Sequence, residues 1–442
     1  MKSRSLIILF YLLVLWIFPA KVNAQADVHL SIFKEVKKKI SIAIPAFLVK
    51  ETNVAGDNTA SEGANILKND LNLSGMFDII DFQRTDQINR LDLNEDAIHY
   101  SMWTELGANA LIKGEYAASE NGITVKLSLF DVAKKRYLIG KRYRDQKFRL
   151  RQIMHKFADE TVYYLTNEKG IAQTKIAFVA FQSGHKELFV IDYDGYKESL
   201  KQLSNEQSLV LFPNWSPDGR KIVYTSYKNK NPNLNIFSLD KKKNKVIANF
   251  PGLNANPSWS PDGKKIAFTS SKDGNPEIYL IDKKGNIKRL THFRGIDTSP
   301  NWSPDGKKIA FTSDRSGTPQ IYIMDAETGD SKMIKRITFN GHYNDLPAWS
   351  PKRDMIAYSS LINGRFQIII KDLNSGDEIQ LTKGGSSKES PSWSPNGRFL
   401  AFSSKVFGES AIFIAQTDGP GIRRLTFLKG GGFSPVWSPA LN

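Results

Sequence analysis

Apolar and polar residues alternate in short bursts from about residue 175 onward, and the bursts recur in register. One copy reads Pro300-Asn301-Trp302-Ser303-Pro304-Asp305-Gly306, followed by the strand-like run Lys308-Ile309-Ala310-Phe311-Thr312-Ser313. Pro-x-Trp-Ser-Pro occurs six times, with tryptophans at Trp215, Trp259, Trp302, Trp349, Trp393 and Trp437, spaced by 44, 43, 47, 44 and 44 residues. A fixed period of that length, made of short strands and turns, predicts the blades of a β-propeller.

Each part of the unit has a physical task. Pro-x-Trp opens a first strand, where proline is tolerated at the start. Ser-Pro-Asp-Gly fits a type I turn, because proline presets the second position and glycine suits the fourth. Lys264 to Ser270 reads as the second strand, Ile278 to Asp282 as the third, and Arg289-Leu290-Thr291 as the outermost. The Ile-Ala-Phe type of strand also occurs six times, beginning near Lys175, Lys221, Lys265, Lys308, Asp354 and Arg398. The first of these has no Trp-Ser-Pro before it, and the last Trp-Ser-Pro has no such strand after it. A strand around Phe433–Pro439 that completes the blade begun at Lys175 closes six blades and hides the sheet edges. The tryptophans, at one phase of the repeat, are then inter-blade packing residues.

Upstream, the pattern changes. Residues 40–168 predict an α/β domain: a strand at Ile40 to Pro45, a helix over Glu62 to Leu73 ending at Ser74-Gly75, and a strand at Met76 to Ile80. A helix-like run reaches Trp103 to Gly107, then come a strand at Ala110 to Gly114 and a hairpin from Ile123–Phe130 and Tyr137–Tyr143. An amphipathic helix over Phe148 to Thr166 closes the domain, with a linker at about Asn167 to Thr174 and the propeller over 175–442. Asp27-Val28-His29-Leu30-Ser31-Ile32-Phe33 alternates at period two and heads a segment, 27–39, that is either an edge strand or a peptide offered to another protein's sheet.

Residues 1–26 have the form of a cleaved export signal: Lys2 and Arg4, the apolar run Leu6 to Phe18, and the small-x-small site Ala24-Gln25-Ala26. The apolar run is short for a membrane span, which favours cleavage over an uncleaved anchor. Cysteine is absent, compatible with a bacterial periplasm and a fold held by its cores alone. The net charge of +16 raises the question of a nucleic-acid or membrane-surface partner. Arg220-Lys221, Lys264-Lys265 and Lys307-Lys308 share one repeat phase, so the expectation is a basic charge spread around the ring, without a nucleic-acid groove. Asn-Trp-Ser at Asn214 and Asn301 matches a glycosylation sequon, but both precede a packed tryptophan and read as accidents of the repeat.

Catalytic motifs are missing. There is no Gly-x-Ser-x-Gly, His-Glu-x-x-His, Walker loop or Gly-x-Gly-x-x-Gly, and no thiol. No cofactor is expected. His155 and Asp159 sit four apart on the last helix, a spacing that suits a metal pair but more often marks a solvated face. His292 and His342 both lie in connections that lead into a tryptophan strand. They are the one feature that supports an alternative, an envelope enzyme or carbohydrate-binding propeller with a metal near the channel mouth.

The whole of residues 27–442 resembles the TolB family, exported β-propeller proteins of the Tol-Pal system. The Trp-Ser-Pro-(Asp/Asn)-Gly blades are shared with other propellers, but Leu71-x-x-Ser74-Gly75-x-Phe77 and Trp103-x-x-x-Gly107-Ala108-x-x-Leu111-Ile112-x-Gly114 are similar to that family's first domain. Lys352-Arg353 departs from the repeat, and Ser31 to Lys39 is unusually basic. The resemblance implies a periplasmic, non-enzymatic adaptor that binds the lipoprotein Pal at the propeller mouth and TolA through its N-terminus. It also implies a role in outer-membrane integrity during cell division and in bacteriocin import. On this chain the mouth residues are His292, Arg294, Asp297, Thr298, Ser299, His342, Asn344, Asp345, Glu389, Ser390 and Phe433, all in or beside the connections between blades. The N-terminal ones are Asp27, Val28, His29, Leu30, Ser31, Ile32 and Phe33.

Overall fold

The computed structural model describes residues 39–52, 57–80, 82–91, 98–229, 231–419 and 421–441. The expected signal and the Asp27–Phe33 segment lie outside the described residues. Among the described residues no helix is long and apolar enough to cross a membrane.

The first region contains β1 (Ile40–Ala43), β2 (Leu48–Thr52), α1 (Thr59–Leu73), β3 (Phe77–Ile79), α2 (Phe82–Leu91), α3 (Tyr100–Glu105), β4 (Ala110–Ser119), β5 (Gly122–Asp131), β6 (Arg136–Asp145) and α4 (Leu150–Thr166). The sheet order is β3-β1-β4-β5-β6, with β2 also paired to β4. β1 runs parallel to β3 and β4, and β4, β5 and β6 are antiparallel. Strand alternation sends Ile42, Ala110 and Ile112 to one core with α1 and α4, and Ala43, Leu111 and Phe130 to another with Trp103 of α3. α1 contributes Ala60, Ala64, Leu67 and Leu71, one helical stripe. Gly114 is required by close approach: a Cβ there would meet the Phe47 ring at 2.4 Å. α4 ends on Asn167 in the left-handed conformation, its N–H donating to the Tyr163 carbonyl at 2.8 Å.

The rest is a six-bladed propeller of four-stranded antiparallel sheets. Its innermost strands are Val210–Trp215, Asn254–Trp259, Asp297–Trp302, Asn344–Trp349, Lys388–Trp393 and Phe433–Trp437 (blades 2 to 6, then blade 1). The last of these pairs with Lys175–Gln182, Trp437 opposite Ile176, so the ring closes as the repeat count requires. Ser438 N–H donates to the Lys175 carbonyl at 2.8 Å and Lys175 N–H to Ser438 Oγ at 2.9 Å. One hydrophobic cluster runs from α1 and α4 into the junction of blades 6 and 1, taking in Phe178, Tyr193, Phe399 and Trp437.

The repeat motif earns its residues one by one. In blade 4, Ser303 Oγ donates to Asp305 Oδ1 at 2.6 Å and accepts from Lys308 N–H at 2.9 Å, while Gly306 sits at φ +71°. Blade 5, with Lys352 where blades 2 to 4 have aspartate, keeps the strand-closing bond from Ser350 N–H to the Met355 carbonyl at 2.8 Å.

The six tryptophans are all buried, but they are tied in two alternating ways. Trp215, Trp302 and Trp393 donate their indole N–H to the carbonyls of Val436, Ser258 and Ala348, at 3.1, 3.1 and 2.9 Å. Trp259, Trp349 and Trp437 instead donate their backbone N–H to the side chains of Asn214, Asn301 and Ser392, at 2.9, 2.8 and 2.9 Å. The two kinds of bond alternate from one blade junction to the next around the ring.

Candidate functional site

Each innermost strand carries one residue before its proline with a positive φ: Phe212, Asn256, Ser299, Leu346, Ser390 and Ser434, between +46° and +59°. Non-glycine residues pay on the order of 1–2 kcal/mol for that conformation. The pairing register shifts at the same place in all six strands, as between Thr298 and Asn301 or Phe433 and Val436. The bulge holds these residues against a central channel of about 360 Å³, lined otherwise by prolines, amides, hydroxyls and tryptophans. Among the described residues no carboxylate, imidazole or amine lines it. The lining therefore offers surface and hydrogen bonds, with no acid–base pair.

Charge begins at the mouth. Asp345 Oδ1 accepts from Thr312 Oγ1 at 2.7 Å, from Leu346 N–H at 2.6 Å and from Ser299 Oγ at 3.3 Å. Burial pushes the Glu389 carboxyl above its usual range; Lys405 opposes this, and the Asp345 charge reinforces it. Thr298 Oγ1 lies 3.3 Å from Ser299 Oγ, and Ser390 N–H donates to Ser359 Oγ at 3.2 Å. Ser299 and Asp345 are thus joined directly, with Thr298 beside them and Glu389 and Ser390 on the neighbouring inner strand.

The other expected mouth residues divide. His292, Arg294 and His342 are exposed on the rim. Phe433 is half-buried, edge-on to Phe181 with ring centres 5.9 Å apart, and the Lys186 ammonium lies 4.1 Å from its ring centre. Asp297 and Asn344 are not presented to a partner at all. Both are fully buried: Asp297 takes Arg315 Nη2 on both oxygens at 3.1 and 2.9 Å, and Asn344 Nδ2 donates to Gln320 Oε1 and the Asn340 carbonyl, each at 2.8 Å. Each opens its inner strand and anchors the incoming connection, so polarity there serves the turn. Sequence reading also missed three aromatics on this face: Phe339, Phe407 and Phe427, 68%, 103% and 76% exposed. Phe339 and Phe427 directly follow the outer-strand threonine, and Phe407 heads the Phe407-Gly408 hairpin turn; a bulky aromatic in a turn was the available signal.

The histidine of α4 is corrected outright. His155 is buried, not solvated, and does not pair with Asp159. Its Nδ1 lies 2.7 Å from Asp70 Oδ2, and Tyr193 of blade 1 donates its hydroxyl to Asp70 Oδ1 at 2.9 Å. Arg151 Nη2 donates to Asp194 Oδ2 at 2.6 Å and lies 3.3 Å from His155 Nε2, its guanidinium stacked 3.8 Å above Tyr196. Burial raises the Asp70 carboxyl, and the His155 contact pulls the other way. Among the described residues Asp70, His155 and Asp194 are the cluster with metal-ligand spacing, and the Arg151 guanidinium already supplies a cation there. Asp159 instead accepts from Ala172 and Gln173 N–H at 2.7 and 3.1 Å, fixing the turn after α4. His292 and His342 belong to no such cluster.

Two family models match this chain: the TolB amino-terminal domain over residues 28–138 and the TolB beta propeller domain over residues 162–441. The Tol-Pal system protein TolB of Desulfosudis oleivorans is 36% identical over 252 residues, 56% of this chain and 56% of that protein. The Nitrosomonas europaea protein of the same name is 35% identical over 243 residues, 54% of this chain and 53% of its own length. The match spans about half the length of these curated relatives. The crystal structure of TolB from Acinetobacter baumannii aligns with a TM-score of 0.78 at 32% identity, covering 91% of this chain and 97% of that one.

Proposed function

The chain belongs to the TolB family, and from that premise we propose that it is a non-enzymatic periplasmic adaptor of the Tol-Pal system. The propeller mouth binds Pal, the peptidoglycan-associated lipoprotein, and the Asp27–Phe33 segment pairs with TolA. In that role it supports outer-membrane invagination and integrity during cell division, and it is a point of entry for bacteriocins.

One observation carries the reading: a closed ring whose mouth sets exposed phenylalanines around a rim of carboxylate and hydroxyl groups, above a channel that no titratable side chain lines among the described residues. Aromatic anchors within a polar rim are the usual make-up of a specific protein interface. Catalysis would need a nucleophile, base or metal converging on substrate.

The test uses the full-length mature chain as bait on detergent-solubilised envelope, followed by calorimetry against purified soluble Pal. Recovery of Pal with a saturable 1:1 isotherm is expected; failure to bind purified Pal sinks the mouth assignment. Deleting Asp27–Phe33 is expected to abolish TolA binding while Pal affinity stays the same. Unchanged TolA affinity would overturn the N-terminal assignment alone.

A further inference from the structure

Basic residues recur around the ring at one repeat phase, and at the junction of blades 2 and 3 the outer turn and outermost strand add more of them. Lys221, Lys241, Lys243, Lys245, Lys264 and Lys283 rim a slot of about 370 Å³ between blades 2 and 3, and among the described residues Asp282 is the one carboxylate in its lining. They come from both blades: from the second strand, the outer turn and the outermost strand of blade 2 (Lys243–Ala248), and from two turns of blade 3. The equivalent outer turn of blade 4 carries Asp325, Glu327 and Asp330. Among the described residues, Lys264 pairs with the exposed Asp262 at 3.6 Å, and no ion pair is found for Lys241, Lys243, Lys245 or Lys283. Lysines on an outermost strand deter edge-to-edge pairing. That accounts for Lys243 and Lys245; Lys221 and Lys264 hold repeat positions that are basic in other blades too, and neither account covers Lys241 or Lys283.

The slot's floor is apolar. Ile236 and Ile247 of blade 2 face Ile266, Ile281 and the indole of Trp259 in blade 3. Trp259 is one of the tryptophans held by its backbone N–H, and its indole Nε1 is buried without a hydrogen-bond partner. A peptide threaded between two sheet faces would bury N–H and C=O groups that these walls cannot satisfy. A methylene chain has no such groups and gains with each CH₂ it removes from water.

We propose that this junction binds an anionic amphiphile: a lipid whose aliphatic chain enters the slot and whose charged headgroup sits among the lysines. The site opens on the side of the Ser-Pro-Asp-Gly turns, away from the mouth, so it stands independently of any partner there.

The test is calorimetry of the full chain against dodecyl phosphate below its micelle concentration. Comparison ligands are dodecyl maltoside (same chain, neutral head), inorganic phosphate (charge without chain) and a glutamate-rich peptide. Dodecyl phosphate is expected to bind 1:1 and at least about tenfold more tightly than each of the other three, since it alone offers both an anionic head to the lysines and a chain to the apolar floor. The variant K241Q/K243Q/K245Q, which changes exposed side chains only, is expected to lose that preference, whereas K332Q/K335Q on blade 4 keeps it. Equal binding of the maltoside, tighter binding of phosphate or of the peptide, an unaffected triple variant, or no saturable binding of dodecyl phosphate would each overturn the proposal.

Discussion

The indole N–H of Trp437 donates to the Thr174 hydroxyl at 2.8 Å, across 263 residues of chain. The final strand is thereby fixed to the residue that precedes the propeller's first strand, and the ring's closure lies beside the end of the α/β region. Trp437→Ala should therefore cost about 3–5 kcal/mol, the usual penalty for emptying a buried aromatic site. Urea unfolding followed by near-ultraviolet circular dichroism checks it; a midpoint within error of the parent would show that the ring does not depend on this seam.

The alternation among the tryptophans separates two residues at the same repeat position. Asn301 holds the Trp349 backbone through its side chain, whereas Ser258 receives the Trp302 indole on its carbonyl. Asn301→Ala strands a buried N–H and should cost about 1–3 kcal/mol. Ser258→Ala leaves the acceptor in place and should cost clearly less. Equal losses in thermal or urea melts would refute the pairing scheme.

Asp57 gives a prediction with a pH sign. Its side chain is 2% exposed and takes the Thr59 N–H at 3.1 Å, the Thr59 hydroxyl, the Tyr116 hydroxyl at 2.8 Å and Lys147 Nζ at 3.0 Å. These donors, the Thr59 hydroxyl foremost, hold its carboxyl well below the usual range. A depressed folded pKa means stability that is present above the unfolded value of about 4 and lost as pH falls through the folded one. Asp57→Asn should therefore be destabilised by about 1–3 kcal/mol at pH 7, with the gap to the parent shrinking progressively below pH 4. A gap that stays constant down to pH 2 would contradict it.

Asp70 joins α1 to α4 through His155 and to blade 1 through Tyr193. Tyr193→Phe removes one donor and should cost about 1 kcal/mol, whereas Asp70→Ala leaves both partners unpaired and should cost about 2–4 kcal/mol. Both should speed proteolysis within residues 167–174, read by mass spectrometry of the nicked products. Destabilisation without faster cleavage there would mean that the cluster stabilises the α/β region and does not latch it to the blade.

At the mouth, Phe407 and Phe427 stand free of the core, so changing them tests the proposed interface without threatening the fold. The variant F407S/F427S should weaken Pal binding by about 1–4 kcal/mol while its melting temperature stays within a degree or two of the parent's. Unaltered affinity would move the contact elsewhere on the face.

Six blades and their closure were legible in the chain, because a propeller stacks one strand-and-turn unit and the period survives as Trp-Ser-Pro spacing. The α/β region was legible in outline: α1, the β5–β6 hairpin and α4 follow from local periodicity and from the Ser74-Gly75 stop. The conversion of Asp297 and Asn344 from surface groups into buried anchors was not. Neither was the pairing of His155 with Asp70, 85 residues away, in place of Asp159 one turn along the helix. Local pattern specifies which way a strand or helix face points. Which polar group finds which partner is set by chain crossings tens to hundreds of residues apart, because a buried polar atom must be satisfied by whatever the tertiary fold brings within 3 Å. The meeting of six lysines at one blade junction belongs to the same class: Lys241, Lys243 and Lys245 are close in sequence, but Lys221, Lys264 and Lys283 join them only where blades 2 and 3 meet.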